Sequence, residues 1–246
     1  GTINILDIVR SCRFVKSFIA VTSDKCYENI GKRGGYLETD KLGGSDPYSA
    51  SKAATELVVN SYYKSYFESK NKCGISSVRA GNVIGGGDWS KNRLIPDCIR
   101  SLLRNKEIYL RNPNFTRPWQ HVLEPLKGYL ILAKKQFEIP NKFSGAWNFG
   151  SSPNSIISVK KITELIIKFW GTGKARSKKN IFKEQKFLQI SSNKSKYYLK
   201  WKPSFNIKRA VKVTSDWYFY VEKKKENPMK ITNQQIKEYM VENKIN

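Results

Sequence analysis

The sequence predicts an α/β protein built on a parallel sheet, and three observations carry that expectation. Two short apolar runs, SFIAVTS (17–23) and GISSVRAGNVIG (74–85), end in small polar residues or glycine, as buried parallel strands do where their carboxyl ends carry function. Longer stretches with helical periodicity separate and follow them. The resulting order of strand, helix, strand, helix is that of a sheet joined by helical crossovers.

Taken in order, residues 3–13 place Ile3, Ile5, Leu6, Ile8 and Val9 at helical spacing. The opening residues lack an initiator Met and a signal-peptide pattern, and look like the inside of a helix, so the chain is expected to be a fragment. After the first strand comes a long polar loop rich in glycine. Asp46 and Pro47 then open a helix, because Asp caps a first turn and Pro fits it; this helix is expected to run through Leu57, Val58, Tyr62 and Tyr66 to about Asn71. The second apolar run reads as one strand entering the glycine turn GGGD. Further helices are expected at 95–104, 122–137, 158–170 and 206–225, with a short strand near 146–149. The lysine-rich end, from about Glu222, reads as a loose helical tail.

The 246 residues suffice for one large domain or two small ones. Hydrophobic content of 39% and charged content of 26% suit a soluble globular chain, and no apolar run approaches the roughly 18 residues of a membrane span. Cys12, Cys26, Cys73 and Cys98 are irregularly spaced, without a C-x-x-C pair and with one His in the whole chain. That argues against a zinc site and a disulfide framework and points to reduced, cytoplasmic thiols. The net charge of +25 raises the question of nucleic acid. Much of the excess lies after residue 160, in runs such as KARSKK (174–179) and EKKKE (222–226), with no nucleic-acid motif beside it, so a solvated basic surface is the expected reading.

The stretch DPYSASK (46–52) carries the chemistry. Tyr-x-x-x-Lys alone decides nothing in a chain with 13 Tyr, since Tyr66/Lys70, Tyr198/Lys202 and Tyr220/Lys224 share it. The surroundings of Tyr48 differ. It opens a helix after Pro47, and positions i and i+4 share a helix face, so Lys52 lies beside it. A phenol with an ordinary pKa near 10 needs such a cation before it can act as a base near pH 7. Ser23, closing the first strand, is placed to complete the site.

With VTSDKCYEN, GGSDPYSASKAATEL, SVRAGNVIGGGDW, RLIPDCIR and RPWQHVLEPLKGYLILA in that order, the chain resembles the extended short-chain dehydrogenase/reductase superfamily and, within it, the CDP-glucose 4,6-dehydratase family. The resemblance covers Gly1 to about Tyr220. It implies the C-terminal part of a Rossmann-like doubly wound parallel sheet plus a smaller mixed α/β substrate lobe. Residues 1–90 would be the remainder of the NAD-binding domain with its catalytic helix. Residues 91–225 would be mostly the lobe that holds the nucleotide sugar, with some segments returning to the first domain, and 226–246 a polar basic tail.

The resemblance also implies a hydro-lyase that uses NAD to convert CDP-glucose to CDP-4-keto-6-deoxyglucose, for deoxysugar and polysaccharide (lipopolysaccharide/O-antigen) biosynthesis. Tyr48 would take the C4 hydroxyl proton. Lys52 would lower the phenol's pKa and hold the nicotinamide ribose, and Ser23 would hydrogen-bond the C4 oxygen. Elimination across C5 and C6 needs a base and an acid. Where related dehydratases carry an Asp-Glu pair, this chain has Asp24 and Lys25; a lysine kept neutral by burial would serve as base, and a loop lysine pairing Asp24 is the equal alternative. On the substrate side, Arg117 matches the family arginine on the pyrophosphate, with stacking on Trp119 as its alternative. Asn82 matches an asparagine on the diphosphate, Arg93 lies where the family clamps the nucleotide, and Asn148 is a further phosphate-side candidate. His121 is expected to be structural, and GNVIGGGD (81–88) lacks the G-x-G-x-x-G of a dinucleotide loop.

The sequence holds neither the G-x-x-G-x-x-G turn nor the acidic residue expected in the first half of an NAD fold. The fragment alone is therefore expected to bind NAD poorly and to turn over little. A homodimer whose interface helices include the Tyr48 helix is expected of the complete protein, with no membrane partner, no nucleic acid and no metal. The competing expectations are another nucleotide-sugar dehydratase or epimerase of the superfamily, a truncated inactive remnant, and a basic nucleic-acid-binding protein.

Overall fold

A computed structural model of the chain describes residues 1–177 and 188–245. In chain order the elements are α1 (Thr2–Ser11), β1 (Ser17–Val21), α2 (Pro47–Tyr62), β2 (Gly74–Ala80), β3 (Asn82–Ile84), α3 (Leu94–Leu103), β4 (Ile108–Leu110) and β5 (Thr116–His121). There follow α4 (Leu123–Glu138), β6 (Gly145–Phe149), β7 (Ile156–Ser158), α5 (Val159–Trp170), β8 (Ala175–Ser177), α6 (Asn193–Leu199), α7 (Ile207–Tyr218) and α8 (Pro228–Glu242). They divide into two compact units: Gly1–Gly81 with Glu124–Gly150 and Lys186–Lys202, and Asn82–Leu123 with Ser151–Gln185 and Pro203–Asn246.

The first unit is a parallel sheet of order β1-β2-β6. Parallel strands covered on both faces read as continuous apolar runs, and β2 is buried along most of its length. One face packs Ile75 against Leu6 and Val9 of α1 and Val59 of α2. The other packs Val78 with Leu132 of α4, Trp147, Phe149 and Trp201. β1 is an edge of this sheet, and α1 leaves Ile3, Ile5 and Ile8 exposed.

The start of α2 follows its local chemistry. The Asp46 side chain accepts from the Ser49 amide at 3.1 Å and the Ser49 hydroxyl at 2.6 Å, and Pro47 occupies the first turn. A Cβ on Gly44 would lie 2.5 Å from the backbone of Ser49 and Ala50, so only glycine lets the incoming loop pass this close. Beyond Tyr62 the helix continues as one π turn and a short 3-10 turn, ending at Asn71 in the left-handed conformation (φ 45°).

The second unit has a sheet of order β3-β5-β7, with β7 antiparallel, and a separate β4-β8 pair. Its core is apolar: Ile99 of α3, Ile162 and Ile166 of α5, and Val211 and Tyr218 of α7 are all fully buried or nearly so.

Three sequence expectations are revised. The run 74–85 is two strands, because the chain leaves one sheet after Ala80 and joins another at Asn82. The short strands β4, β5, β7 and β8 and helix α6 were not expected; three to seven residues carry too little periodicity to be read. The C-terminal stretch is a regular helix rather than a loose tail. Asn227 caps α8 through the amides of Met229 and Lys230, and Ile231 and Tyr239 are buried in the second unit's core. Of the basic run 174–179, residues 178–179 lie outside the described residues.

Candidate active site

All five residues expected to carry the chemistry, Ser23, Asp24, Lys25, Tyr48 and Lys52, fall in the first unit, at the carboxyl end of β1 and the start of α2. Tyr48 is 51% exposed. Two ammoniums lie near its ring: Lys25 Nζ at 5.8 Å and Lys52 Nζ at 5.9 Å from the centroid. Lys52 also donates to the carbonyl of Val21, the last residue of β1, at 3.3 Å. The lysine therefore bridges α2 and the strand end.

Ser23 closes that strand end and opens the 3-10 turn Asp24–Cys26. Its hydroxyl donates to Asp24 Oδ1 at 3.0 Å and accepts from the Lys25 amide at 3.2 Å. Ser23 and Asp24 are both buried, whereas Lys25 is exposed, so the burial expected of this lysine is not found. The turn thus holds a hydroxyl, a carboxylate and an ammonium in sequence beside an open phenol. That set suits proton transfer to and from a bound hydroxylated ligand.

Beneath this surface lies a polar network that sequence reasoning missed. Glu56, one helical turn beyond Lys52, is 3% exposed. Its carboxylate accepts from Arg79 Nη2 at 2.7 Å and from the hydroxyls of Thr22 and Ser77. Arg79 donates through Nη1 to the Tyr27 hydroxyl at 2.6 Å, and Tyr27 donates to Asn148 Oδ1 at 2.8 Å. Burial pushes the Glu56 carboxyl upward. The hydrogen bond and charge of Arg79, with the two hydroxyls, outweigh it and hold the group below the usual carboxylate range. The signal was present in the sequence: an arginine inside the buried run GISSVRAG needs an acid, and Glu56 is the one acid within α2.

Asn148 belongs to this network. It is fully buried, its Oδ1 accepts from Tyr27 and its Nδ2 donates to the Tyr36 carbonyl at 2.9 Å. Its side chain ties β6 to the loop after β1.

Asn82, Arg93 and Arg117 belong to the second unit. Asn82 opens β3 opposite Trp119 of β5. Arg93 precedes α3 at the N-cap, two-thirds exposed, with Nη1 3.6 Å from Asp88 Oδ2. Arg117 on β5 holds its guanidinium 5.9 Å from the Phe115 ring centroid. Trp119 is buried and donates to the Ile157 carbonyl. His121 is 2% exposed; Nδ1 accepts from the Leu123 amide, the ring packs on Phe205, and burial with the nearby Arg209 charge lowers its pKa to about 4.

The four cysteines are free. Burial pushes the Cys26 and Cys98 thiols up to about 12 and Cys73 to about 11, which makes them poor nucleophiles. Among the described residues there is no group of three or more His, Cys, Asp and Glu placed to hold a metal, and no helix is long and apolar enough to cross a membrane. For a dinucleotide, Tyr48 and Lys52 fit the nicotinamide-ribose end: the phenol is open, and an ammonium with three donors spends one on Val21.

Comparison with known proteins agrees with this geometry. The NAD dependent epimerase/dehydratase family description matches residues 1–150. CDP-glucose 4,6-dehydratase of Salmonella typhimurium is 39% identical over 224 residues, 89% of this chain and 62% of that protein. The dTDP-D-glucose 4,6-dehydratase of Dictyostelium discoideum is 29% identical over 68% of this chain and 39% of that protein. The chain thus spans about three-fifths or less of the length of these relatives. Among solved structures, dTDP-glucose 4,6-dehydratase from Bacillus anthracis in complex with NAD superposes with a TM-score of 0.75 at 22% identity, covering 91% of this chain and 68% of that one. UDP-glucuronic acid 4-epimerase from Bacillus cereus gives 0.74 at 17% identity, covering 89% and 66%. The chain belongs to the NAD dependent epimerase/dehydratase family.

Proposed function

We propose that this family member carries the catalytic residues of a nucleotide-sugar 4,6-dehydratase, with CDP-glucose as substrate and CDP-4-keto-6-deoxyglucose as product. The observation that carries the reading is the open Tyr48 phenol with two ammoniums near its ring, beside the Ser23–Asp24–Lys25 turn, in a chain 39% identical to a CDP-glucose 4,6-dehydratase.

Bound NAD supplies hydride acceptance at the sugar's C4 and hydride return at C6. Tyr48 takes the C4 hydroxyl proton, with Lys52 as the neighbouring cation and as a donor to the nicotinamide ribose. Ser23 hydrogen-bonds the C4 oxygen. A ketone at C4 makes the C5 proton acidic; Asp24 and Lys25 carry the two proton movements of the elimination, from C5 and to the departing C6 hydroxyl. One water leaves across C5 and C6. Asn82, Arg93 and Arg117 bind the nucleotide diphosphate, with Arg117 presenting a fork that suits phosphate oxygens. The assembled protein is a cytoplasmic homodimer that buries faces of α1 and α2, supported by exposed Ile3, Ile5, Ile8 and Leu57. Light scattering reports its mass.

The test is to incubate the protein translated from its complete native reading frame with CDP-glucose, dTDP-glucose, UDP-glucose or GDP-mannose. Conversion of CDP-glucose to a ketone product lacking one water supports the proposal. Preference for another nucleotide moves the substrate. A C4 epimer with no loss of water is the outcome for the second reading, an epimerase, which the likeness to the Bacillus cereus fold leaves open and which has no use for an acid at Asp24.

A further inference from the structure

Resting on that reading, we infer that the buried Glu56–Arg79 pair and Thr22 are positioning residues of the reaction: they set the height of the catalytic helix against the strand end that carries Ser23.

The argument begins with spacing. Tyr48, Lys52 and Glu56 lie at successive i+4 positions on α2, one above another on one helix face. The lower two grip consecutive residues of the strand end. Lys52 Nζ donates to the Val21 carbonyl, and Glu56 accepts from the Thr22 hydroxyl. The next residue is Ser23. Thr22 is itself held to the neighbouring strand, its amide donating to the Val78 carbonyl at 2.9 Å. Glu56 reaches the same strand through Ser77 and Arg79. One carboxylate therefore joins α2, the end of β1 and β2, all within the first unit. Arg79 extends the join to the loop after the catalytic turn, by its bonds to Tyr27 and to the Glu38 carbonyl at 3.3 Å.

A fold that needed only adhesion would not require this. α2 already docks through Ala53 and Val59. Burying an ion pair costs desolvation that apolar residues of similar size avoid, so such a pair is weak evidence for stability. What a pair with defined hydrogen bonds adds is direction. A helix held by apolar contact alone slides or rotates by fractions of an ångström at small cost, and misplacement of a catalytic group by about 1 Å lowers rates by about 100-fold. A carboxylate with both oxygens hydrogen-bonded, to Thr22, Ser77 and Arg79, favours one register.

The test uses the protein from its complete reading frame, with CDP-glucose turnover, KM and thermal midpoint as readouts. Thr22→Val removes the link from Glu56 to the strand end without changing shape. The double change E56L/R79M replaces the pair by apolar residues of similar volume. The expected result is a fall of tenfold or more in kcat for both, with KM within twofold and the thermal midpoint of the double variant at or above that of the unaltered protein. Full kcat in either folded variant overturns the inference. If the double variant does not fold, Thr22→Val decides alone. Tyr48→Phe is the control: if it turns over normally, the reading of the site falls. If Tyr48→Phe is dead while Thr22→Val is fully active, the site stands and the positioning role falls.

Discussion

The two units solve the same problem, holding side chains in place, with opposite chemistry. The interior of the first is threaded by charge and hydrogen bonds: Glu56, Arg79, Tyr27 and Asn148 link α2, β2, β6 and the loop after β1. The second is an apolar core of Ile99, Ile162, Ile166 and Val211, whose cations Arg93 and Arg117 reach out from its surface elements. Under the proposed function the difference would follow the demands on each. Proton transfer fails with small displacements, so groups that move protons would need directional bonds. A diphosphate is large and doubly charged, and long flexible cations would suffice for it on a well-packed base.

The comparison is sharpened first by stranding the charge. Arg79→Met alone leaves a buried carboxylate without its partner and is expected to cost about 3–5 kcal/mol in denaturant unfolding; a loss below about 1 kcal/mol would mean that water reaches Glu56. In the second unit Ile166→Ala opens a cavity in apolar surroundings and is expected to cost about 2–5 kcal/mol, with no double-mutant remedy of the kind the ion pair admits.

A third effect belongs to His121. Its pKa is about 4 in the folded chain and about 6.5 unfolded. The unfolded state binds the extra proton between those values, so stability present near pH 7 is lost as pH falls from about 6.5 toward 4, by up to about 3 kcal/mol. Unfolding measured at pH 7 and pH 4.5 should show that loss, and His121→Phe should reduce it. A loss undiminished in the variant would assign acid sensitivity elsewhere. The smallest effect on the fold is expected of Arg117→Ala: unfolding free energy within about 0.5 kcal/mol, with KM for the nucleotide sugar raised about tenfold and kcat nearly kept.

What was legible in the sequence divides along the same line. Tyr48, Lys52 and the Asp46-Pro47 helix start are local patterns, and the structure brings Tyr48, Lys52, Ser23 and Lys25 to one place. The long amphipathic helices were legible for the same reason, their period being written in neighbouring residues. The network was not, because its bonds join residues 23, 34, 52 and 121 positions apart. Asn148 shows the same limit: its strand is visible in the sequence, but its partners Tyr27 and Tyr36 are not. The break at Gly81 escaped notice because β2 and β3 are contiguous in apolar character and part only in their partners, β6 for one and β5 for the other.

The central claim, dehydration at Tyr48 through oxidation at C4 and reduction at C6, is tested most directly by the fate of one hydrogen. CDP-glucose carrying deuterium at C4 is given to the protein translated from its complete reading frame, and the product is examined by NMR. The account predicts a 4-keto product with the deuterium at C6 and no such product with Tyr48→Phe. Deuterium retained at C4 of an epimer, or full conversion by Tyr48→Phe, would contradict it.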